Sequence, residues 1–148
     1  MTTKADFSAD EWTTILEGPT GAAMMVITAS HGGTFRETYA EAKAFAEARS
    51  QHGESQLLDE IVATKPVSDK TRYHSKEELQ AGAIKHLGDA VAILAAKATP
   101  EELDGYRTFI LSLCAKVAGA HKEHGVDESP EETAAIVQIS AALGVAAP

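Results

Sequence analysis

The sequence contains a single cysteine, Cys114, so the chain cannot form an internal disulfide. Basic residues are also scarce, because 13 Lys and Arg stand against 22 Asp and Glu, which gives a net charge of −9. Divided at His74, the chain has 7 basic and 11 acidic residues in its first half and 6 and 11 in its second. Since neither half is basic, we expect no binding to nucleic acid or to an anionic membrane surface.

Long apolar runs are missing as well. The longest one, residues 21–29, is far shorter than the roughly 20 residues that a membrane-spanning helix needs. Residues 1–6 contain no apolar stretch of the kind found in signal peptides. We therefore expect a cytoplasmic protein with no membrane span.

The short motifs of several common catalytic classes are absent. The sequence has no Glu-x-x-His pair of a di-iron bundle, no His-Glu-x-x-His, no phosphate-binding loop, no dinucleotide fingerprint and no nucleophile elbow. It also lacks the alternating acids of a calcium-binding EF-hand loop. These absences lead us to predict a protein that is not an enzyme.

Helix starts, by contrast, are abundant. A Ser or Thr at the N-cap accepts a hydrogen bond from a free backbone N–H, and a Glu three residues later binds the N–H of the cap itself. Such pairs begin at Ser8, Thr34, Ser75, Thr99 and Ser129. After the last two caps a proline follows, at the position where its missing N–H costs nothing. Each pair predicts the beginning of an α-helix.

The first predicted helix is short. Phe7 and Trp12 flank its cap and are expected to pack on each other as a hydrophobic staple. The dipeptide Gly18-Pro19 is predicted to end this helix after about two turns. Residues 20–30, which are largely apolar on all sides, are predicted to form a separate helix buried inside the bundle.

The later helices each carry an apolar stripe with a spacing of three or four residues, which predicts one face turned to a core. After Thr34 the predicted inward side chains are Phe35, Tyr39, Ala42, Phe45 and Ala46. A short helix then contains Leu57, Leu58, Ile61 and Val62. After Ser75 they are Leu79, Ala83, Leu87, Val91, Leu94 and Ala98. After Thr99 they are Leu103, Tyr106, Ile110, Leu113, Cys114 and Val117. After Ser129 they are Ile136, Val137, Ile139, Ser140 and Leu143.

Three glycines have predicted roles in these helices. Gly82 and Gly88 fall inside the helix after Ser75, where each costs about 1 kcal/mol relative to alanine. We expect this cost to be offset by the close approach of a neighbouring helix. Gly144 follows the last apolar stripe and is expected to end that helix in the left-handed conformation.

Together these patterns predict an all-α fold: one compact domain, residues 1–148, built as a bundle of about six to seven helices. A chain of this length buries about two-thirds of the surface of its unfolded form. Residues 25–45 and 113–143 follow the same order of apolar helix, polar loop with His and Gly, capped start and amphipathic helix. This repetition predicts two helix–loop–helix units related by a pseudo-two-fold axis.

The two loops and the glutamates that follow them also carry a resemblance. The residues concerned are Ala29, Ser30, His31 and Gly32 with Glu37, and Ala120 and His121 to Gly125 with Glu131 and Glu132. Over residues 18–144 the chain resembles the tellurite-resistance TerB-like family at the level of this pattern. The resemblance implies an all-α fold with two helical hairpins, an acidic metal site at the loops, and a role in a stress or metal response. Where the family has an acid before the glycine, this chain has Ser30-His31 and Glu123-His124.

The second of these loops contains the candidate metal ligands His121, Glu123, His124 and Asp127, followed by Glu128. A His-x-x-His pair on a helix can bring two imidazoles to one ion. Histidine together with carboxylates suits zinc or a similar divalent ion better than calcium, which prefers oxygen ligands alone. The alternative explanation is a solvated, charged turn that binds nothing.

Other chemically active side chains have structural explanations. Acids at predicted helix starts, such as Glu11 and Glu102, are favoured there by capping and by the helix dipole. Cys114 falls on an apolar stripe, which predicts a buried and unreactive thiol. His86 falls between the faces of its helix and is expected to be a packed or surface histidine rather than a ligand.

Three hypotheses for function remain open at this stage. The first is a non-enzymatic cytoplasmic helical protein that binds a divalent metal ion or a protein partner through the loop at residues 121–128. The second is a protein–protein interaction module or homodimer with no ligand site, using an uncovered apolar helix face. The third is an enzyme that uses His31, His74 or His121 as a base between helices.

Overall fold

The structure is a computed structural model that describes residues 3–29, 34–50, 56–63, 75–119 and 130–145. In this part of the chain the protein is all-helical, and no residue is in a β-strand. A 3-10 turn at Lys4–Asp6 precedes the first helix. The α-helices are α1 (Ala9–Ala29), α2 (Thr34–Ser50), α3 (Gln56–Ala63), α4 (Lys76–Lys97), α5 (Pro100–Gly119) and α6 (Pro130–Leu143). The predicted all-α fold is confirmed.

The capping pairs form as the sequence predicts. At α1, the Ser8 N–H donates to Glu11 Oε1 at 2.9 Å and the Glu11 N–H donates to Ser8 Oγ at 3.2 Å. At α5, Thr99 and Glu102 make the same reciprocal pair at 3.0 and 3.1 Å. Ser75 Oγ accepts a hydrogen bond from the first turn of α4 at 3.0 Å. Each pair satisfies backbone donors that have no partner inside the helix.

Two further local predictions are confirmed, and two lie outside the described residues. The rings of Phe7 and Trp12 pack with their centroids 5.9 Å apart, as the hydrophobic staple requires. Gly144 has φ of +77°, and the N–H of the following residue donates back into the last turn of α6, which ends the helix as predicted. The predicted cap contacts of Thr34 and Ser129 fall outside the part of the chain for which side chains are described.

Replacing Thr99 with alanine should lower the free energy of unfolding by about 1 kcal/mol, because the Glu102 N–H at the start of α5 loses its acceptor, the Thr99 hydroxyl. Urea unfolding followed by far-UV circular dichroism measures the change. Thr108, which is exposed in the middle of α5, provides the matched control. Thr108→Ala should leave stability unchanged or raise it by a few tenths of a kcal/mol through better helix propensity. Equal losses in the two variants would contradict a capping role.

The prediction that Gly18-Pro19 ends the first helix is wrong. α1 continues through Pro19 to Ala29, so the two helices predicted from residues 8–30 are one. Proline has no N–H, and the carbonyl of Ile15 therefore loses its usual partner four residues later. The hydroxyl of Tyr106 on α5 donates to this carbonyl at 2.8 Å and replaces the missing hydrogen bond. The helix passes the proline because another helix supplies the donor.

To reach the carbonyl of Ile15, the side chain of Tyr106 passes close to the backbone of Gly18. A Cβ placed on Gly18 would lie 2.1 Å from the Tyr106 hydroxyl oxygen, a distance that real Cβ atoms essentially never show. Tyr106 is 1% exposed, and burial raises the pKa of its hydroxyl, so the group keeps its proton and remains a donor. The close approach of helices therefore occurs at Gly18 in α1.

No described atom of a neighbouring helix comes close to Gly88, so the role predicted for this glycine is wrong. Gly88 is exposed, and a Cβ placed on it would meet no atom within 4 Å. α4 instead approaches α1 through Ala83, whose Cβ would lie 3.4 Å from a Cβ placed on Gly21. Small residues thus do bring α1 and α4 together at Gly21 and Ala83, and the role predicted for Gly82 stays a prediction.

The inward faces of α2 and α6 also need correction. Val137 is 46% exposed, although the stripe of α6 assigned it to the core. On α2, Ala42 and Ala46 are exposed, while Glu41 is buried together with Phe45. Over residues 41–50 the buried face of α2 is therefore rotated by about one residue from the predicted one, and it contains a carboxylic acid. The predicted inward side chains Phe35 and Tyr39 lie outside the part of α2 for which side chains are described. The stripe of α5 is buried throughout, as predicted.

The core lies between α1 and α5, which each pack against most of the other helices. The largest fully buried apolar side chains are Tyr106, Ile15, Leu57, Ile61, Leu87, Leu94, Ile110, Leu113, Ile139 and Leu143. α1 also packs against α6, and α5 packs against α2. The pseudo-two-fold relation of the two helix–loop–helix units stays a prediction. Among the described helices, none combines the length and the apolar character needed to cross a lipid bilayer.

Candidate functional site

The predicted metal ligands His121, Glu123, His124 and Asp127 lie in residues 120–129, outside the described residues. His31, which belongs to residues 30–33, and His74 also lie outside them. The site therefore stays a prediction from the sequence. What the structure does establish is where the helices that lead into these segments begin and end.

α1 and α4 run antiparallel. Near the start of α1, Glu11 Oε1 lies 2.7 Å from the Nζ of Lys97, the last residue of α4. Further along α1, Gly21 faces Ala83 in the first half of α4. As the residue number rises in α1 it falls in α4, so the end of α4 lies beside the start of α1.

α5 runs parallel to α1. It begins at Pro100, directly after α4 ends beside the start of α1, and its Tyr106 contacts Ile15. From Tyr106 to Gly119 the helix rises about 20 Å, and from Ile15 to Ala29 α1 rises about 21 Å. The last residues of the two helices are therefore at one end of the bundle, which we call the Ala29–Gly119 end.

α6 returns from this end to the other. The Arg107 Nε–H, in the first half of α5, donates to the carbonyl of Leu143, the last residue of α6, at 2.7 Å. The start of α6 accordingly lies at the Ala29–Gly119 end, where Glu131 and Ala135 line a groove with residues of α1. Residues 120–129 join helix ends that both lie there.

The groove at this end has a volume of about 210 Å³ and lies between α1, α4 and α6. Its lining residues are Met25, Thr28, Ala29, Gln80, Glu131, Ala134, Ala135 and Gln138. The amide groups of Gln80 and Gln138 hydrogen-bond each other across it. The groove offers two amides and the carboxyl of Glu131 over an apolar base, and it is smaller than most sites for drug-sized ligands.

The acids at the helix starts behave as the capping explanation predicts for Glu11 and Glu102, which bind the backbone of their own caps. The pKa of Glu11 is lowered, chiefly by its hydrogen bond to Lys97 and then by the Ser8 N–H. Glu132 departs from this picture, because it is 1% exposed rather than solvated. Its position at the start of α6 could be read from the sequence, but its burial depends on how α6 packs.

Cys114 is buried, and the pKa of its thiol is raised to about 12, first by burial and then by the charge of Glu41. At neutral pH the thiolate that a nucleophile or metal ligand needs is therefore scarcely populated. The prediction of a buried thiol on α5 is confirmed, and the raised pKa agrees with the low reactivity expected for it.

Glu41 on α2 is a chemically unusual residue that the sequence reading missed. It is 4% exposed, and no described residue makes a hydrogen bond to its Oε1. Burial raises the pKa of its carboxyl to about 7. A signal was present in the sequence, since Glu41 precedes Phe45 by one helical turn and so shares its face, but the predicted inward face of α2 did not include it.

His86 is the one histidine in the described residues, and its Nε2 lies 3.2 Å from Glu17 Oε2 at the α1–α4 contact. This contact agrees with the packed or surface role expected for His86. In the described part of the chain, no three His, Cys, Asp or Glu side chains lie close enough to hold a metal ion.

No family model, curated protein or solved structure matches this chain. The resemblance to the TerB-like family consequently rests on the two loop motifs alone.

Proposed function

We propose that this protein is a non-enzymatic, cytoplasmic binding protein of the TerB-like kind, and that it binds a divalent metal ion at the Ala29–Gly119 end of the bundle. The observation that supports the proposal most is the parallel course of α1 and α5. His31 follows Ala29 by two residues along the chain, and His121 follows Gly119 by two. Both helix ends that precede these histidines are at the same end of the molecule.

The chemistry of the segment after α5 favours zinc or a similar ion. His121, Glu123, His124 and Asp127 combine imidazole nitrogens with carboxylate oxygens, which is a ligand set that zinc accepts and calcium does not favour. The family resemblance adds the expectation of a role in a stress or metal response. Neither the ion nor this role follows from the helices themselves.

Metal analysis and titration of protein purified without a tag test this proposal. We expect zinc to raise the melting temperature more than calcium does, since a ligand that binds only the folded state stabilises it. The double variant His121→Ala/His124→Ala should bind zinc at least roughly tenfold more weakly, because it loses two imidazole ligands. His52→Ala, which removes a histidine from the connection between α2 and α3, is the matched control and should bind as the unaltered protein does. Absence of both a bound ion and any stabilisation would overturn the metal site.

One observation favours the second candidate function, a protein–protein interaction module or homodimer. Val137 is 46% exposed and lies on one face of α6 with the exposed Ala134 and Ala141, spaced as the contact residues of a helix pair are. Light scattering distinguishes this candidate: a dimer that a charge at Val137 dissociates supports it, and a clean monomer counts against it.

A further inference from the structure

The helix α2, which packs against α5, carries a buried carboxyl group. Glu41 is 4% exposed on the buried face of α2, and its Oε1 has no hydrogen-bond partner among the described residues. A buried carboxylate without a partner is costly, whereas the neutral acid is much less so. The ring of Phe45, one turn along the same face, packs edge-on against Phe109 of α5 at 5.3 Å between centroids. The group thus lies within a packed helix contact.

We propose that protonation of Glu41 controls the packing of α2 against α5, so that this contact is a proton-sensitive switch. With the carboxyl neutral, α2 stays packed. With the carboxylate charged, α2 moves away from α5 far enough for water to reach it. Because the acid belongs to α2, this helix is the element that must move.

In the part of the chain that the structure describes, no charged side chain makes a hydrogen bond to Oε1 of Glu41. The ionisable side chains described in the facing segments of these helices are Lys43, Glu47 and Arg49 of α2, Cys114 and Lys116 of α5, and Asp59 and Glu60 of α3. Lys116 Nζ is bound to Glu47 Oε2 at 2.9 Å, and the Arg49 Nε–H donates to the Val62 carbonyl at 2.7 Å. α1 has no ionisable side chain between residues 18 and 29.

The direction of the pH effect follows from the two states. Burial raises the pKa of Glu41 to about 7 when α2 is packed, against an ordinary value of 4.5 when it is exposed. The packed form therefore holds a proton that the open form releases. The stabilisation that the packed form gains from this proton is complete below about pH 4.5 and is lost as the pH rises to about 7. Opening should be rare in acid and more frequent above neutrality.

The single thiol of the chain reports this opening. Cys114 of α5 lies close enough to Glu41 for the charge of that carboxyl to raise the pKa of its thiol. The thiol is fully buried while α2 is packed. We measure the rate at which a neutral disulfide reagent labels the native protein between about pH 5.5 and about pH 8.5, and divide it by the rate for the urea-unfolded chain at the same pH. This ratio removes the ordinary increase in thiolate with pH and leaves the fraction of open molecules.

We expect the open fraction to rise at least roughly tenfold between these limits in the unaltered protein, since one pKa unit of difference corresponds to a factor of ten. Glu41→Gln should abolish the rise, and Glu41→Leu provides a second neutral side chain if the amide folds poorly. Glu47→Gln, on the same helix but at an exposed ion pair, is the matched control and should keep the rise. A flat profile in the unaltered protein, or the same rise in both Glu41 variants, would overturn the switch.

Discussion

Replacing Gly18 with alanine is expected to lower the free energy of unfolding by about 3 kcal/mol, the upper part of the range for an overpacked core. The added Cβ would lie 2.1 Å from the hydroxyl oxygen of Tyr106 and 3.2 Å from its Cζ. Usually the far end of a side chain gives way to a new methyl group. Here the hydroxyl is fixed by its hydrogen bond to Ile15, and the ring is fully buried, so α5 itself must shift.

Gly88→Ala is the matched control for this prediction, because it makes the same change inside a helix where no atom lies within 4 Å of the new Cβ. It should raise stability by about 0.8 kcal/mol through helix propensity alone. Guanidinium unfolding of both variants, followed by circular dichroism, measures the difference. Two substitutions of similar effect would show that Tyr106 can move, and would contradict the close contact at Gly18.

Most helix starts could be predicted because capping depends only on residues three apart. Ser8, Ser75 and Thr99 cap α1, α4 and α5 as their sequences indicate, and the buried stripe of α5 follows from its spacing. These features require no knowledge of the neighbouring helices. These local features were enough to predict the all-α fold.

The features that could not be predicted depend on residues far apart in the chain. Pro19 predicts a helix end because it removes a backbone donor. The replacement donor is the hydroxyl of Tyr106, which lies 91 positions after Ile15 and so is not part of the local sequence. The predictions of the inward faces of α2 and α6 were partly wrong for a related reason. Glu41 is buried although it is acidic, and Val137 is exposed although it is apolar, because packing partners decide burial at the margin of a stripe.

For the candidate site, the sequence offered ligand types but not their arrangement. The ligands His121 and His124 rest on the motif, and they remain a prediction. The finding that α1 and α5 end at the same end of the bundle depends on the direction in which these two helices pack. It came from the structure, through the contact between Tyr106 and Ile15. Sequence and structure thus contribute different parts of the metal hypothesis.

Replacing Tyr106 with phenylalanine should cost about 2 kcal/mol, because the buried carbonyl of Ile15 would be left without any donor. Removing Pro19 at the same time should restore most of this loss. In the double variant Tyr106→Phe/Pro19→Ala, the new N–H at position 19 can donate to Ile15 as in any regular helix. The measurement is a double-mutant cycle of unfolding free energies.

The single variant Pro19→Ala completes the cycle and serves as its control. Alanine favours the helix interior over proline, so this variant should be at least as stable as the unaltered protein. The effect of Tyr106→Phe should then be smaller by more than about 1 kcal/mol in the Pro19→Ala variant than in the unaltered protein. If the two effects are equal, the hydroxyl does not replace the hydrogen bond that Pro19 removes. α1 would then continue through the proline for another reason, such as the burial of its apolar second half between α4, α5 and α6.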